Sequence, residues 1–132
     1  MGTRSITSFI NEEGSEICTL YRQFDGYPSG HGQDLFDALR NAKLVNGLRM
    51  SGHEVNGMSD LAVQVISYLK VSNSSDPLEG GGLYLHPPGT NGLGESYTYV
   101  IYSSDGDIYL DVFQEYNNIY RGKIKDFDPE MD

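Results

Sequence analysis

A chain of 132 residues is the size of one domain, long enough to bury roughly two-thirds of the surface its unfolded form exposes. Nineteen acidic residues against nine basic ones leave a net charge of −10, which excludes a protein that lies along an open nucleic-acid backbone, because that requires a basic face to displace counterions. The single cysteine forbids an internal disulfide, no apolar run approaches the ~20 residues that span a bilayer, and nothing at the N-terminus has the form of a signal peptide. The expectation is a cytoplasmic protein with no membrane partner. Ten tyrosines, five phenylalanines, no tryptophan and sixteen glycines describe half-wet strands and many turns.

In chain order, residues 3–10 are rich in β-branched side chains, Asn11-Glu12-Glu13-Gly14 is turn chemistry, and residues 15–22 return as a second strand. A four-residue loop would set Ile10 opposite Ser15, and so Arg4 opposite Tyr21 and Ser8 opposite Ile17. A glycine-punctuated loop over 24–33 follows. Leu35, Phe36, Leu39, Ala42 and Val45 then recur at helical spacing, with Gly47 as the stop. After a polar stretch over 49–57, Ser59 is placed to cap a second helix whose apolar face is Leu61, Ala62, Val65, Ile66 and Leu69. Residues 71–82 read as a loop.

The last third is β. Leu83-Tyr84-Leu85 is a short strand that Pro87-Pro88 must end. Tyr97–Ser104 and Asp107 to Phe113 flank Asp105-Gly106, the dipeptide of a two-residue hairpin. That pairing buries Tyr99, Ile101, Leu110 and Val112 on one face and leaves Val100, Tyr102, Tyr109 and Phe113 on the other. The half-apolar second face predicts a homo-oligomer. Asn117-Asn118 reads as a further turn, residues 119–124 as a final strand, and 126–132 as an acidic, frayed tail beyond a single domain over 1–125. The order predicts an α+β fold: an antiparallel sheet of about five to six strands with two helices packed on one face.

Chemistry concentrates in residues 21–32. Arg22 offers a planar fork for phosphate or carboxylate, Gln23 an amide for a base-like edge, and Tyr21 and Tyr27 rings for stacking. Asp25 and His31 are a carboxylate and an imidazole close in sequence. The same loop equally reads as turn and helix-entry chemistry with no ligand. The hairpin brings Arg4 alongside, and the rigid segment from His86 to Thr90 is a candidate second wall. The candidate ligand-binding set is therefore Arg4, Tyr21, Arg22, Gln23, Asp25, Tyr27, His31, His86 and Thr90. His31, His53 and His86 fit no metal-ligand spacing, and no cofactor motif is present, so neither metal nor cofactor is expected. Cys18 reads as a small buried apolar residue.

The opening Met1-Gly2-Thr3-Arg4-Ser5 and the run Leu20-Tyr21-Arg22-Gln23-Phe24-Asp25-Gly26-Tyr27-Pro28-Ser29-Gly30-His31-Gly32 resemble a family of small uncharacterised bacterial and phage proteins. Leu61-Ala62-Val63-Gln64, Leu83-Tyr84-Leu85-His86-Pro87-Pro88-Gly89-Thr90, Glu95-Ser96-Tyr97-Thr98-Tyr99 and Asp126-Phe127-Asp128-Pro129 extend the resemblance over most of the chain. Val63 stands where a smaller residue is expected. The resemblance implies a bacterial or phage cytoplasmic setting and carries no catalytic assignment. Together with the residues it favours a non-enzymatic binder that sequesters a nucleotide-type immune signal. Two alternatives stay open. One is a small hydrolase or phosphodiesterase using His31 with Asp25 and Arg22. The other is an acidic, protein-directed inhibitor of a nucleic-acid-binding defence protein.

Overall fold

Alternation of apolar and polar side chains through the strands builds a six-stranded sheet with one dry face and one wetter face. The computed structural model describes residues 2–47, 52–73 and 82–131. Within these, the elements are β1 (Ser5–Ile10), β2 (Glu16–Arg22), α1 (Gln33–Leu39), β3 (Lys43–Val45), β4 (Glu54–Asn56), α2 (Gly57–Asn73), β5 (Leu83–His86), β6 (Tyr97–Ser104), β7 (Asp107–Gln114) and β8 (Asn117–Lys123). The main sheet runs β5-β2-β1-β6-β7-β8, and β3 and β4 form a small second sheet. The fold is α+β. Every join in the main sheet is antiparallel except β1 with β6, which is parallel and corrects the expectation of a purely antiparallel sheet.

Phe9, Leu20, Tyr99, Ile101, Leu110 and Val112 project from one face of the sheet onto Leu35 and Leu39 of α1 and Met58, Leu61, Val65 and Leu69 of α2. All are at most 2% exposed, so this helix-side face is the core. The β6–β7 hairpin has the predicted register, with Ile101 opposite Leu110, Tyr99 opposite Val112 and Tyr102 opposite Tyr109. Its turn holds Asp105 at φ 52° and Gly106 at φ 83°, the two positive values that a type I′ turn requires.

Several sequence expectations are corrected. In the first hairpin Ser8 pairs with Thr19 and Ile6 with Tyr21, two residues from the expected register: Ile10 pairs with Glu16, so the loop is one residue longer, and a bulge at Phe9/Ile10 adds the second. A two-residue shift keeps every side chain on its face. The first helix stops at Leu39, and Leu44 and Val45 instead enter β3, which pairs in parallel with β4. The second helix begins at Gly57, before Ser59, and runs to Asn73, past Val71, where the loop was expected to begin. Its N-terminus is capped from a distance: Glu12 Oε2, at the tip of the first hairpin, accepts the Met58 N–H at 2.7 Å. The turn expected at Asn117-Asn118 falls at Glu115 and Tyr116, with Glu115 at φ 56°. The tail expected to fray folds into two short 3₁₀ turns, and Phe127 packs into the core at 3% exposure. Parts of the expected polar stretch over 49–57 and of the loop over 71–82 lie outside the described residues.

The crossover from β5 to β6, residues 87–96, lies across the sheet face opposite the helices. Ile6 and Thr19 on that outer face are accordingly 4% and 0% exposed. Farther along the same face Tyr102 and Tyr109 stack at 5.6 Å. The Tyr102 hydroxyl donates to Asp111 at 2.9 Å, and Arg121 pairs with the same carboxylate at 3.1 Å. Burial, and then the bond to Asp111, pushes the Tyr102 phenol up to about 12.

Candidate functional site

A strand sends successive side chains to opposite faces, and this rule divides the candidate residues. Arg22 opposes Ser5 on the helix side, whereas Tyr21 opposes Ile6 on the outer face. Gln23 joins Tyr21, whose hydroxyl donates to Gln23 Oε1. The predicted cluster is therefore two groups separated by the thickness of the sheet.

On the helix side, Arg22 is 4% exposed. Its Nε donates to the Phe24 carbonyl at 2.6 Å, Nη1 to Asp34 at 2.7 Å and to His31 Nδ1 at 3.1 Å, and Nη2 to Asn73 at 3.0 Å. A guanidinium has no acceptor, so His31 Nδ1 must be the unprotonated nitrogen. Nε2 then carries the proton and donates to Thr7 Oγ1 at 2.7 Å. The imidazole is fully buried, edge-on to Tyr99 at 4.8 Å, and the Tyr99 hydroxyl donates to the Gly26 carbonyl at 2.7 Å. Burial, and secondarily the Arg22 charge, holds His31 well below the ordinary value of 6.5. It is a neutral bracket within the fold.

That bracket fixes the loop over 24–32. Asp25 takes φ 60°, its carbonyl accepts the His31 N–H at 2.7 Å, and Gly26 N–H donates to the Thr3 carbonyl at 2.9 Å. Pro28–Gly32 forms one π-helical turn leading into α1. A side chain at Gly30 would stand 2.4 Å from the Asp25 carbonyl oxygen, so only glycine fits that approach. The Asp25 carboxylate accepts the Tyr27 hydroxyl at 3.1 Å and lies outside the bonds made by His31. The expected His31–Asp25 catalytic pair is thus not assembled: both imidazole nitrogens are occupied by other partners, and the residue is fully buried. Arg22, expected at a ligand's edge, spends its donors inside the protein. Asn73 and Thr7 were not singled out by the sequence; nothing local marks them, since their partners are long-range.

On the outer face, Tyr84 opposes Tyr21 and His86 opposes Thr19. The Tyr21 ring lies 5.9 Å from Tyr84 and 6.3 Å from His86. Arg4 extends β1 one residue beyond Ser5 on this side, with its guanidinium against Gly94 of the crossover. The Arg4 carbonyl accepts the Ser96 N–H at 2.9 Å, but the guanidinium has no hydrogen-bond or ion-pair partner among the described residues. Thr90 donates its hydroxyl to the Pro87 carbonyl at 2.7 Å, closing the turn after His86. Thr90 also walls a groove of about 590 Å³ floored by Ile6, Ser8 and Thr98 and closed by Phe113 and Tyr116, a volume within the range of ligand pockets. Of the nine candidates, Arg4, Tyr21, Gln23, His86 and Thr90 share this face. Tyr84, 59% exposed, belongs with them and was missed; period-two alternation in Leu83-Tyr84-Leu85-His86 was the signal that could have found it.

No three His, Cys, Asp or Glu side chains converge as a metal-ligand group among the described residues, and no helix among them is long and apolar enough to cross a membrane. The chain matches no protein-family model, no curated protein and no solved structure.

Proposed function

We propose that the protein is a non-enzymatic binder of a small ligand of nucleotide type, held on the outer face of the sheet. The observation that carries this reading is the guanidinium of half-buried Arg4, which rests on Gly94 without a side-chain partner among the described residues, on the same sheet face as the Tyr21, Tyr84 and His86 rings and as a groove of ligand size that Ile6, two residues along, helps to floor. An arginine in that state is a receptor for a compact anion such as a phosphate. Tyr84 and His86 offer ring faces and edges to a base. Gln23 keeps its amide N–H groups for a base edge, since only its oxygen is bound by Tyr21. Such a face fits binding without turnover, the requirement for sequestering a nucleotide-type immune signal in a phage or bacterial cytoplasm.

The test is titration calorimetry with a panel of mono-, di- and cyclic nucleotides, followed by mass analysis of the recovered nucleotide. The expected result is one bound nucleotide recovered unchanged, with Arg4→Ala weakening binding by ~1.5–3 kcal/mol, the worth of a hydrogen bond to a charged group. Conversion of the nucleotide to product, or equal affinity in Arg4→Ala, would overturn the reading.

One observation favours a second reading, the acidic protein-directed inhibitor: Glu16, Glu95 and Glu115 all line the outer groove. Two of them already serve the fold, Glu16 accepting the Thr19 hydroxyl and Glu95 the Gly92 and Leu93 amides. Glu115 is the residue whose neutralisation, Glu115→Gln, would weaken capture of a basic protein.

A further inference from the structure

The two edges of the main sheet differ in chemistry. β8 carries Arg121 and Lys123, and its ladder with β7 is broken by a bulge at Val112/Phe113. Charges and bulges are the usual protection of an edge against further pairing. β5 has neither. Its four residues include no Asp, Glu, Lys or Arg, Tyr84 and Leu85 are 59% and 63% exposed, and neighbouring Phe24 is 53% exposed. Among the described residues no strand pairs with its far side.

We propose that β5 pairs antiparallel with β5 of a second copy across a two-fold axis, joining two sheets into one. The register follows from the backbone. The Gly82 carbonyl accepts the Gln23 N–H at 2.9 Å and so faces β2. In an antiparallel ladder the main-chain groups alternate in direction. Tyr84 and His86 therefore also turn toward β2, and Leu83 and Leu85 turn outward. Centring the axis on Tyr84 sets Leu83 opposite Leu85 of the second copy and the reverse, so every outward N–H and C=O of the strand finds a partner. Centring it on Leu85 would set Leu83 opposite Pro87, which has no N–H to give. Centring it on Leu83 would leave Leu85 facing chain beyond the start of the strand.

A second copy is the occupant that this edge fits. Pro87-Pro88 ends the strand after four residues, so a longer foreign strand would gain nothing past it, while an identical four-residue strand matches it. In a chain of net charge −10, an edge strand free of carboxylates is also where two copies meet with least repulsion. The pairing covers Leu85 with Leu83 of the second copy on the helix side and brings the two Tyr84 side chains together on the outer face. The interface thus lies at the edge, in place of the face of Val100, Tyr102, Tyr109 and Phe113 that composition suggested. The inference does not depend on the ligand reading.

Light scattering of the full chain at micromolar concentration should give twice the 14.6 kDa chain mass. Leu85→Pro should return the single mass while keeping its circular dichroism, since a proline is tolerated on an edge where its missing N–H faces outward. If that variant does not fold, Leu85→Lys, which places a charge in the interface, decides by the same mass. In a Cys18→Ser background Tyr84→Cys should form an intermolecular disulfide on mild oxidation, because residues facing each other at such a pair have Cα atoms about 4.5 Å apart. His86→Cys, opposite Gly82 in this register, should not. A wild-type chain of single mass, a doubled mass that survives a folded proline or lysine variant, or crosslinking through His86→Cys in place of Tyr84→Cys would overturn the proposal.

Discussion

Arg4 and Arg22 lie on adjacent strands, with Ser5 the cross-strand partner of Arg22, yet the protein uses them in opposite ways. Arg22 points into the core and donates to a carbonyl, an imidazole, a carboxylate and an amide. Arg4 points to the outer face, rests on a glycine, and keeps its side-chain donors free of partners among the described residues. The difference comes from one residue of offset in a period-two structure. An arginine with four of its five N–H donors bound internally holds the fold; one whose donors lack partners among the described residues is available for recognition.

The comparison is most directly broken at Arg22. Arg22→Ala strands the Asp34 carboxylate and the Phe24 carbonyl beside a buried imidazole, and should cost about 3 kcal/mol or more of unfolding free energy. Urea titration checks this, and a loss under ~1 kcal/mol would mean that the bracket is ornamental. A smaller effect is expected from pH. His31 is neutral when folded and has its value held below 6.5, so the unfolded chain binds the extra proton as pH falls through that ordinary value. Stability should therefore decline below about pH 6.5, by up to ~1.4 kcal/mol for each pH unit, until the folded state also protonates. The slope over that range should flatten in His31→Gln. The smallest effect belongs to the outer face, where Arg4→Ala and His86→Ala should stay within about 0.5 kcal/mol of wild type in the same urea titration. A large loss at Arg4 would erase the contrast between the two arginines.

What the sequence made legible was local. Asp105-Gly106 carries its own turn geometry, and the alternation around it leaves one register that buries the apolar set. The apolar face of α2 was equally plain, but its start was not, because the cap is Glu12 on a distant hairpin. The first hairpin had the right faces and a shifted register, since a bulge at Phe9/Ile10 has no signature in side-chain type. Three-residue parallel strands such as β3 and β4 lack the length for a pattern. The candidate site was half legible. Density of chemistry in residues 21–32 marked a demanding segment, and alternation through Tyr21-Arg22-Gln23 would have divided it. What no local pattern held was the depth of His31, which depends on Thr7, Arg22 and Tyr99 arriving from three other elements.

The parallel join of β1 to β6 has a consequence for synthesis. Ser5 finds Tyr97 across that ladder, so β1 is completed by a strand made much later in the chain. Until then the first hairpin has β1 unpaired along one side and no neighbour from the β6–β7–β8 meander. Contacts of such long sequence separation slow folding, and an incomplete sheet exposes edges that attract other chains. The meander, whose ladders are all between successive strands, can assemble on its own schedule and then dock against β1 as a unit. The order of assembly is thus set by the one ladder in the main sheet whose strands run the same way.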